Sequence, residues 1–179
     1  MNRVHKMNIA GVECELPLCE VNEDLDIAAF ILFGNVEVTV AAAKALVDKC
    51  PDFDVVITPE AKSIPLAYEI SRQTGKPYIV ARKGTKVYMT DPIKVSVVSL
   101  TTQRPQELYL GRAEVEMMKG KKILLVDDVI STGESIAALR ELVSEAGGQE
   151  VAAAAILAEG EAADREDIMF LEKLPVFPK

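Results

Sequence analysis

Apolar residues along this chain occur in two alternating kinds of pattern. Short, continuously apolar runs are typical of strands that a parallel sheet buries on both faces. Such runs occur at 53–60 (FDVVITPE), 77–83 (PYIVARK), 121–128 (KKILLVDD) and 150–160 (EVAAAAILAEG). Apolar residues at helical spacing predict helices before or between these runs, over 36–50, 61–75 and 135–148. Buried strands that alternate with helices predict an α/β fold with a doubly wound, mostly parallel sheet.

The predicted helices carry residues that suit their ends. Asn35 is a suitable N-cap for the first helix, and Gly75 is a suitable C-terminal stop for the second. On the first helix, the residues predicted to share one face are Val36, Val40, Ala43 and Val47. On the third helix, the predicted apolar face consists of Ile136, Leu139, Leu142 and Val143, ahead of a Gly147–Gly148 stop.

Two segments depart from this alternation. Residues 12–33 contain short apolar pieces that predict two strands and a turn, which form an N-terminal arm. Residues 84–110 contain Asp-Pro turn chemistry and a polar stretch at 101–106, which predict a β-hairpin that serves as a binding loop, a packing or dimer arm, or both. Because no repeat or linker interrupts the pattern, we expect residues 1–179 to form a single domain with its core at 53–160.

Composition narrows the classes of function. The chain has 49% hydrophobic and 27% charged residues, as soluble globular proteins do. Its net charge of −8 argues against a nucleic-acid partner, which requires a basic face. No apolar run reaches the ~20 residues of a membrane span, and the N-terminus has no apolar signal segment. Three cysteines without a CxxC spacing indicate reduced thiols and a cytoplasmic location.

The most informative stretch is KKILLVDDVISTGES, residues 121–135. In an open α/β sheet, ligands bind outside the carboxyl ends of the strands, where these aspartates and small residues fall. A loop of Ser131, Thr132, Gly133 and Ser135 before a helix directs backbone N–H groups and hydroxyls at an anion, which predicts a phosphate site. Asp127 and Asp128 are acceptors, so they suit ribose hydroxyls or a magnesium ion instead. Neither GxxxxGK[ST] nor GxGxxG is present.

ILLVDDVISTGES (123–135) resembles the phosphoribosyl pyrophosphate (PRPP) signature of type I phosphoribosyltransferases. Residues 55–83 resemble the corresponding stretch of adenine phosphoribosyltransferase-like and archaeal purine phosphoribosyltransferase-like proteins. The resemblance covers 53–160 well and implies the fold of that family. It also implies that the arm at 12–33 is a hood over the base and that 84–106 is the flexible loop that closes over the reacting centre.

The resemblance also implies roles for individual residues. Asp127 and Asp128 would bind the ribose hydroxyls and act as catalytic groups together with Lys83, and they would hold Mg²⁺ directly or indirectly. The implied 5′-phosphate loop consists of Ser131, Thr132, Gly133, Glu134 and Ser135. The implied pyrophosphate site consists of Glu60, Ala61, Lys62, Ser63, Arg82 and Lys83. Base-binding residues are expected to be Phe30, Phe33 and Ile130.

Two departures from the family pattern bear on function. Glu134 replaces a common glycine and brings a carboxylate to the phosphate loop, so we expect its N–H to bind while its side chain points away. Ser131 stands where classical hypoxanthine-guanine enzymes carry an aspartate, which favours adenine over hypoxanthine, guanine or xanthine as the base.

We therefore expect a purine phosphoribosyltransferase that uses PRPP, a purine base and Mg²⁺, and that forms a homodimer. Its product would be a nucleoside 5′-monophosphate, with pyrophosphate released, in purine salvage. The alternatives are a PRPP-binding regulator without turnover, or a domain that uses the hairpin only for assembly. Pyrophosphate release in the presence of a base separates the enzyme from the regulator.

Overall fold

The computed structural model describes residues 3–97 and 106–179. Its strands, in chain order, are β1 (Val4–Ile9), β2 (Val12–Asn22), β3 (Leu25–Ala28), β4 (Val55–Pro59), β5 (Tyr78–Ala81), β6 (Ile93–Val97), β7 (Gln106–Leu110), β8 (Lys122–Ile130), β9 (Gln149–Glu159), β10 (Met169–Leu174) and β11 (Phe177–Pro178). Its helices are α1 (Val36–Lys49), α2 (Ile64–Thr74), α3 (Arg112–Met118) and α4 (Glu134–Glu145), with a short 3₁₀ helix over Gly160–Asp164.

A parallel sheet with strand order β10-β9-β8-β4-β5 occupies the centre of the fold. Its successive side chains point to opposite faces, as the pleat of a strand requires. On one face, Ile57 and Leu125 pack in a cluster with apolar residues of α4. On the other face, Val56 and Leu124 pack with α1, α2 and the arm. Both faces are covered, so the continuously apolar strand pattern and the doubly wound α/β prediction are confirmed.

The helix predictions are confirmed, with one error in the buried face of α1. The Asn35 side chain caps this helix by accepting a hydrogen bond from the Val38 N–H at 3.3 Å. Val36 and Val40, which we predicted to lie on the buried face, are exposed. The buried face consists of Val38, Thr39, Ala42, Ala43 and Leu46. Several alanines give this helix more than one apolar stripe of similar strength, so periodicity alone did not select the stripe that packs.

The arm and the tail join in an antiparallel sheet with strand order β1-β2-β3-β11. The two strands predicted in 12–33 correspond to β2 and β3, while β1 and the pairing of β11 with β3 were not predicted. Asp26 of β3 is buried, and it pairs with Arg3 at 2.5 Å and Lys179 at 3.5 Å. These ion pairs join both ends of the described chain to the arm.

The predicted hairpin is formed by β6 and β7, which pair antiparallel. At its base, Arg82 and Tyr109 exchange two backbone hydrogen bonds of 2.9 and 2.8 Å, which attach the hairpin to the chain just after β5. The middle of the predicted flexible loop, 98–105, lies outside the described residues. Helix α3, which follows β7, was not predicted.

Among the described residues, we find no helix whose length and apolarity would let it cross a membrane.

Candidate functional site

The carboxyl ends of β4, β5 and β8 meet at a cleft of about 220 Å³. This is the edge of a parallel sheet where ligands of α/β proteins bind. The cleft is lined by Pro59, Glu60, Ala61, Lys62, Ser63, Lys83, Leu108, Asp127, Asp128, Val129 and Ser135. The structure therefore brings residues of the predicted ribose, pyrophosphate and phosphate sites together in one place.

Asp127 and Asp128 lie at the bottom of this cleft and are only 7% and 2% exposed. Asp127 Oδ1 accepts the backbone N–H of Asp128 at 2.9 Å. Burial, and next the negative charge of Asp128, raise the pKa of the Asp127 carboxyl well above its usual value. Two adjacent buried carboxylates are unfavourable without a partner, so the pair is suited to bind hydroxyl donors or a cation.

Asp128 Oδ2 has an ion-pair partner but no hydrogen-bond donor among the described residues. The Lys62 ammonium lies 3.1 Å from this oxygen. The direction of approach does not make a hydrogen bond, so Asp128 Oδ2 is buried without a hydrogen-bond partner in the described part of the chain. This oxygen therefore has an ion-pair partner but keeps the capacity to accept a hydrogen bond from a ligand hydroxyl.

The same two carboxylates fit Mg²⁺, which prefers oxygen ligands. No group of three or more His, Cys, Asp or Glu side chains within 3–97 and 106–179 is arranged to hold a metal ion. An ion here would therefore depend on ligand oxygens in addition to Asp127 and Asp128.

The predicted phosphate loop leads into α4. Gly133, with φ of 81°, allows the sharp turn before the helix, because this left-handed conformation strains other residues. The loop residues line a small cavity of about 40 Å³, which shares Asp127, Val129 and Ser135 with the main cleft. The N–H groups of the first turn of a helix have no intrahelical partner. They can therefore bind a phosphate beside the predicted ribose site.

The predicted pyrophosphate loop is held by polar contacts of its own. The Thr58 hydroxyl donates to Ser63 Oγ at 2.7 Å, and Ser63 in turn donates to the Pro59 carbonyl at 3.2 Å. The Glu60 carboxylate accepts the Lys83 backbone N–H at 2.9 Å and lies 3.2 Å from Arg82 Nε. The Lys83 hydrogen bond, assisted by Arg82, holds the pKa of Glu60 below its usual value.

The predicted cations of this site differ in position. Lys62 and Lys83 line the cleft. Arg82 lies beside Glu60 and donates from Nη1 to the Tyr88 hydroxyl at 2.9 Å, so its guanidinium supports the wall of the site. The Tyr88 contact joins residues six positions apart across a turn, and no sequence signal marked it.

The three predicted base-binding residues do not line the cleft as the structure describes it. Phe30 is buried in the core between the arm and α1, because its ring covers apolar residues there. Phe33 is 55% exposed and borders a separate groove. Ile130 is 2% exposed, packs under α4 and borders only the phosphate-loop cavity. Val129 lines the cleft in its place.

Similar proteins bear on this arrangement. A hypoxanthine/guanine phosphoribosyltransferase of Methanothermococcus okinawensis is 38% identical over 96 residues, 54% of this chain and 49% of the relative. An adenine phosphoribosyltransferase of Thermosipho africanus is 35% identical over 106 residues, 56% of each protein. A purine biosynthesis transcriptional repressor of Bacillus subtilis is 32% identical over 113 residues, 63% of this chain and 39% of the repressor. The chain thus matches about half the length of these curated relatives, or less.

The fold also has solved counterparts. A crystal structure of an adenine phosphoribosyltransferase from Thermoanaerobacter pseudethanolicus superposes with a TM-score of 0.69 over 95% of both chains, at 17% identity. At this identity the likeness shows the fold. The model of the phosphoribosyl transferase domain matches residues 37–176, which include the cleft, the aspartate pair and the phosphate loop. By this match over most of its length, the chain belongs to the phosphoribosyltransferase family.

Proposed function

We propose that this protein transfers the phosphoribosyl group of PRPP to a purine base, giving a nucleoside 5′-monophosphate and pyrophosphate. The observation that carries the proposal is the buried pair Asp127 and Asp128 in the lining of the cleft, between a phosphate loop and two lysines. The names of the purine phosphoribosyltransferase relatives support the substrate class.

The proposed mechanism assigns each wall of the cleft to one part of PRPP. Asp127 and Asp128 accept hydrogen bonds from the ribose hydroxyls and offset positive charge that develops at C1′. The loop 131–135 holds the 5′-phosphate through backbone N–H groups. The purine N9 forms the bond to C1′ while the bond from C1′ to pyrophosphate breaks; the electron pair leaves with pyrophosphate, and the N9 proton passes to pyrophosphate or solvent.

Lys62 and Lys83 neutralise the charge of the departing pyrophosphate, and Glu60 holds the Lys83 backbone in place. Mg²⁺, when bound, supplies further neutralisation of the same charge. In this mechanism the segment that carries β6 and β7 would close over the cleft and exclude water that would hydrolyse PRPP.

Adenine is the base that we propose first. Ser131 offers a hydroxyl, which is a poor base, where classical hypoxanthine-guanine enzymes carry an aspartate that serves the purine N7, and this argues against the 6-oxopurines. Hypoxanthine, guanine and xanthine are the alternatives, and one of the relatives is named for hypoxanthine and guanine. Turnover with each free base, PRPP and Mg²⁺ decides between them, and the highest kcat/KM with a 6-oxopurine would contradict the adenine assignment.

PRPP with Mg²⁺ should raise the melting temperature of the protein. A ligand that binds only the folded state at about 100 times its Kd stabilises that state by about 2.7 kcal/mol. For a chain of this size the corresponding rise in Tm is about 5–10 °C, measured by thermal shift. The variant Asp127→Asn, Asp128→Asn is the control and should show little rise. No rise in the wild-type protein at millimolar PRPP would contradict the whole proposal.

A regulator that binds PRPP without turnover is the second candidate, because one relative is named a transcriptional repressor. The two candidates share the PRPP-dependent rise in Tm. They differ in pyrophosphate release, which only the enzyme shows in the presence of a base. A protein that binds PRPP and releases no pyrophosphate with any purine base would be the regulator.

We further propose that the protein forms a homodimer through an apolar patch beside the cleft. Phe33, Val36, Val40 and Tyr68 are exposed around a groove of about 550 Å³. An exposed apolar patch of this kind marks an interaction site, and a two-fold interface would bury the same patch on both copies.

Val36→Glu should convert the dimer to a monomer in size-exclusion chromatography with light scattering. A carboxylate in this patch would be buried by the partner, while an acidic residue in the first turn of α1 favours the helix itself. Val87→Glu, at a fully exposed position that does not line the groove, is the control and should remain a dimer. A wild-type monomer, or a dimer that survives Val36→Glu, would contradict this interface.

We also propose a cytoplasmic location. Cys14, Cys19 and Cys50 are free thiols, as expected in a reducing compartment. If the substrate is PRPP, as proposed, the protein acts inside the cell, where we expect PRPP to be found. Detection of the protein in a secreted fraction would contradict it.

A further inference from the structure

Arg165 comes from a part of the chain that the sequence did not connect with the site. It follows the 3₁₀ helix that leads from β9 towards β10. Its side chain returns to the start of α4 and lies against the backbone of Gly133. A Cβ atom added at Gly133 would overlap Arg165 Nη1 and lie 3.2 Å from Cζ. The guanidinium therefore sits directly over the phosphate loop.

Two hydrogen bonds to the Asp167 carboxylate fix the orientation of this guanidinium. Arg165 Nε and Nη2 donate to Asp167 Oδ1 and Oδ2 at 2.8 and 2.7 Å. Asp167 Oδ2 also accepts Arg140 Nη1 at 2.6 Å, and Arg140 Nε donates to both carboxylate oxygens of Glu150 at 3.0 Å. Arg165, and next Arg140, hold the pKa of Asp167 well below its usual range, so the carboxylate remains charged.

This arrangement leaves one nitrogen of the Arg165 guanidinium, Nη1, available to a ligand. Nε and Nη2 are used by Asp167, whereas Nη1 donates to no acceptor in the part of the chain that the structure describes. Nη1 is also the atom that lies against Gly133. A phosphate in the loop would accept a charge-assisted hydrogen bond from it.

The charge of Arg165 also addresses the unusual carboxylate of this loop. Glu134 adds a carboxylate to the first turn of α4, next to Gly133. The Arg165 guanidinium, which pairs with Asp167, lies beside Gly133, the residue before Glu134.

We propose that Arg165 binds the 5′-phosphate of the substrate through Nη1, the atom that lies against Gly133, an inference that rests on the proposed function. Arg165 then discriminates for ligands that carry a 5′-phosphate. It contributes to PRPP and to nucleoside 5′-monophosphates alike, and makes no contact with pyrophosphate.

The test compares two ligands that each occupy one half of the site. Isothermal titration measures the Kd of ribose 5-phosphate and the Kd of Mg²⁺-pyrophosphate for wild type and Arg165→Ala. We expect the Kd of ribose 5-phosphate to rise about 10-fold or more, and the Kd of pyrophosphate to change less than about twofold. In turnover, the KM for PRPP should rise while kcat changes little, because this contact is the same in the ground and transition states.

Two further variants separate a ligand contact from a structural role. Arg165→Lys keeps the charge but lacks the fork, so it should recover part of the affinity for ribose 5-phosphate. Lys173→Ala removes an exposed cation that pairs with Asp164, on the same connection, and should leave both affinities unchanged.

Other results overturn the inference. Equal losses for both ligands, or a fall in Tm with unchanged affinities, would mean that Arg165 only supports the loop. If wild type binds ribose 5-phosphate and Arg165→Ala binds it equally well, this inference fails and the proposed function stands. If wild type binds neither ribose 5-phosphate nor PRPP, the proposed function fails as well.

Discussion

The double variant Asp127→Asn, Asp128→Asn should lose at least about 1,000-fold in kcat/KM, or ~4 kcal/mol of transition-state stabilisation. Two amides cannot supply the negative charge that offsets developing positive charge at C1′, and each offers fewer acceptor sites to the ribose hydroxyls. Pyrophosphate release with PRPP, a purine base and Mg²⁺ measures the loss. Near-normal turnover would show that the ribose binds elsewhere.

The same change should not destabilise the protein. An unfolded aspartate ionises near about pH 4, whereas burial raises the pKa of Asp127 in the folded state. Between these two pKa values the folded chain binds more protons, so the free energy of unfolding decreases as the pH rises.

The amide that Asp127→Asn introduces cannot ionise, so this decrease in the free energy of unfolding does not occur in the variant. At a pH above the folded pKa of Asp127, Asp127→Asn should therefore melt above wild type, by about 2–4 °C for each kcal/mol of that decrease. Asp48→Asn, which removes an exposed carboxylate paired with Lys44, is the control and should change neither the activity nor the pH dependence of the Tm. A large fall in Tm for the aspartate variants would instead assign a structural role to the pair.

Gly133→Val should lower kcat/KM by roughly 100-fold or more, or ~3 kcal/mol. The backbone at this position has a φ that a branched residue rarely adopts, and its Cβ would occupy the place of the Arg165 guanidinium. The side chain would also block the approach of a phosphate to the loop amides. Steady-state kinetics with varied PRPP measures the effect.

Glu134→Gly is the matched change at the next position and should alter the KM for PRPP only a few-fold. We expect this small effect because the Glu134 backbone, rather than its carboxylate, serves the phosphate. A harmless Gly133→Val would place the phosphate outside this loop. A large gain in affinity on removal of Glu134 would mean that its charge opposes PRPP, and would favour the regulator.

The parts of the site that were predictable from sequence are local along the chain. Asp127, Asp128 and the loop 131–135 form one continuous strand, turn and helix start, so their spacing carries the chemistry directly. Lys62 and Lys83 follow other buried strands, and parallel strands end at the same edge of a sheet. The strand pattern alone therefore predicted that these segments meet at one cleft.

The parts that were not predictable depend on contacts between distant residues. Phe30 and Phe33 lie only three residues apart, yet one is buried in the core and the other borders a groove, because α1 packs against the first. Arg165 contacts Gly133, which lies 32 positions earlier in the chain. The turn that carries Arg165 has no apolar pattern from which this contact could be predicted. The partners of β1 and β11 lie elsewhere in the arm, and a terminal segment gives no sign of which strand it will join.

The attachment of the hairpin through Arg82 and Tyr109 also protects an edge of the sheet against aggregation. β5 forms one edge of the parallel sheet, and such an edge presents unpaired N–H and C=O groups to which another chain can add. The two backbone hydrogen bonds with Tyr109 occupy these groups where the chain leaves β5. Shortening the hairpin to a minimal turn would uncover this edge, and aggregation would then accompany any change in turnover.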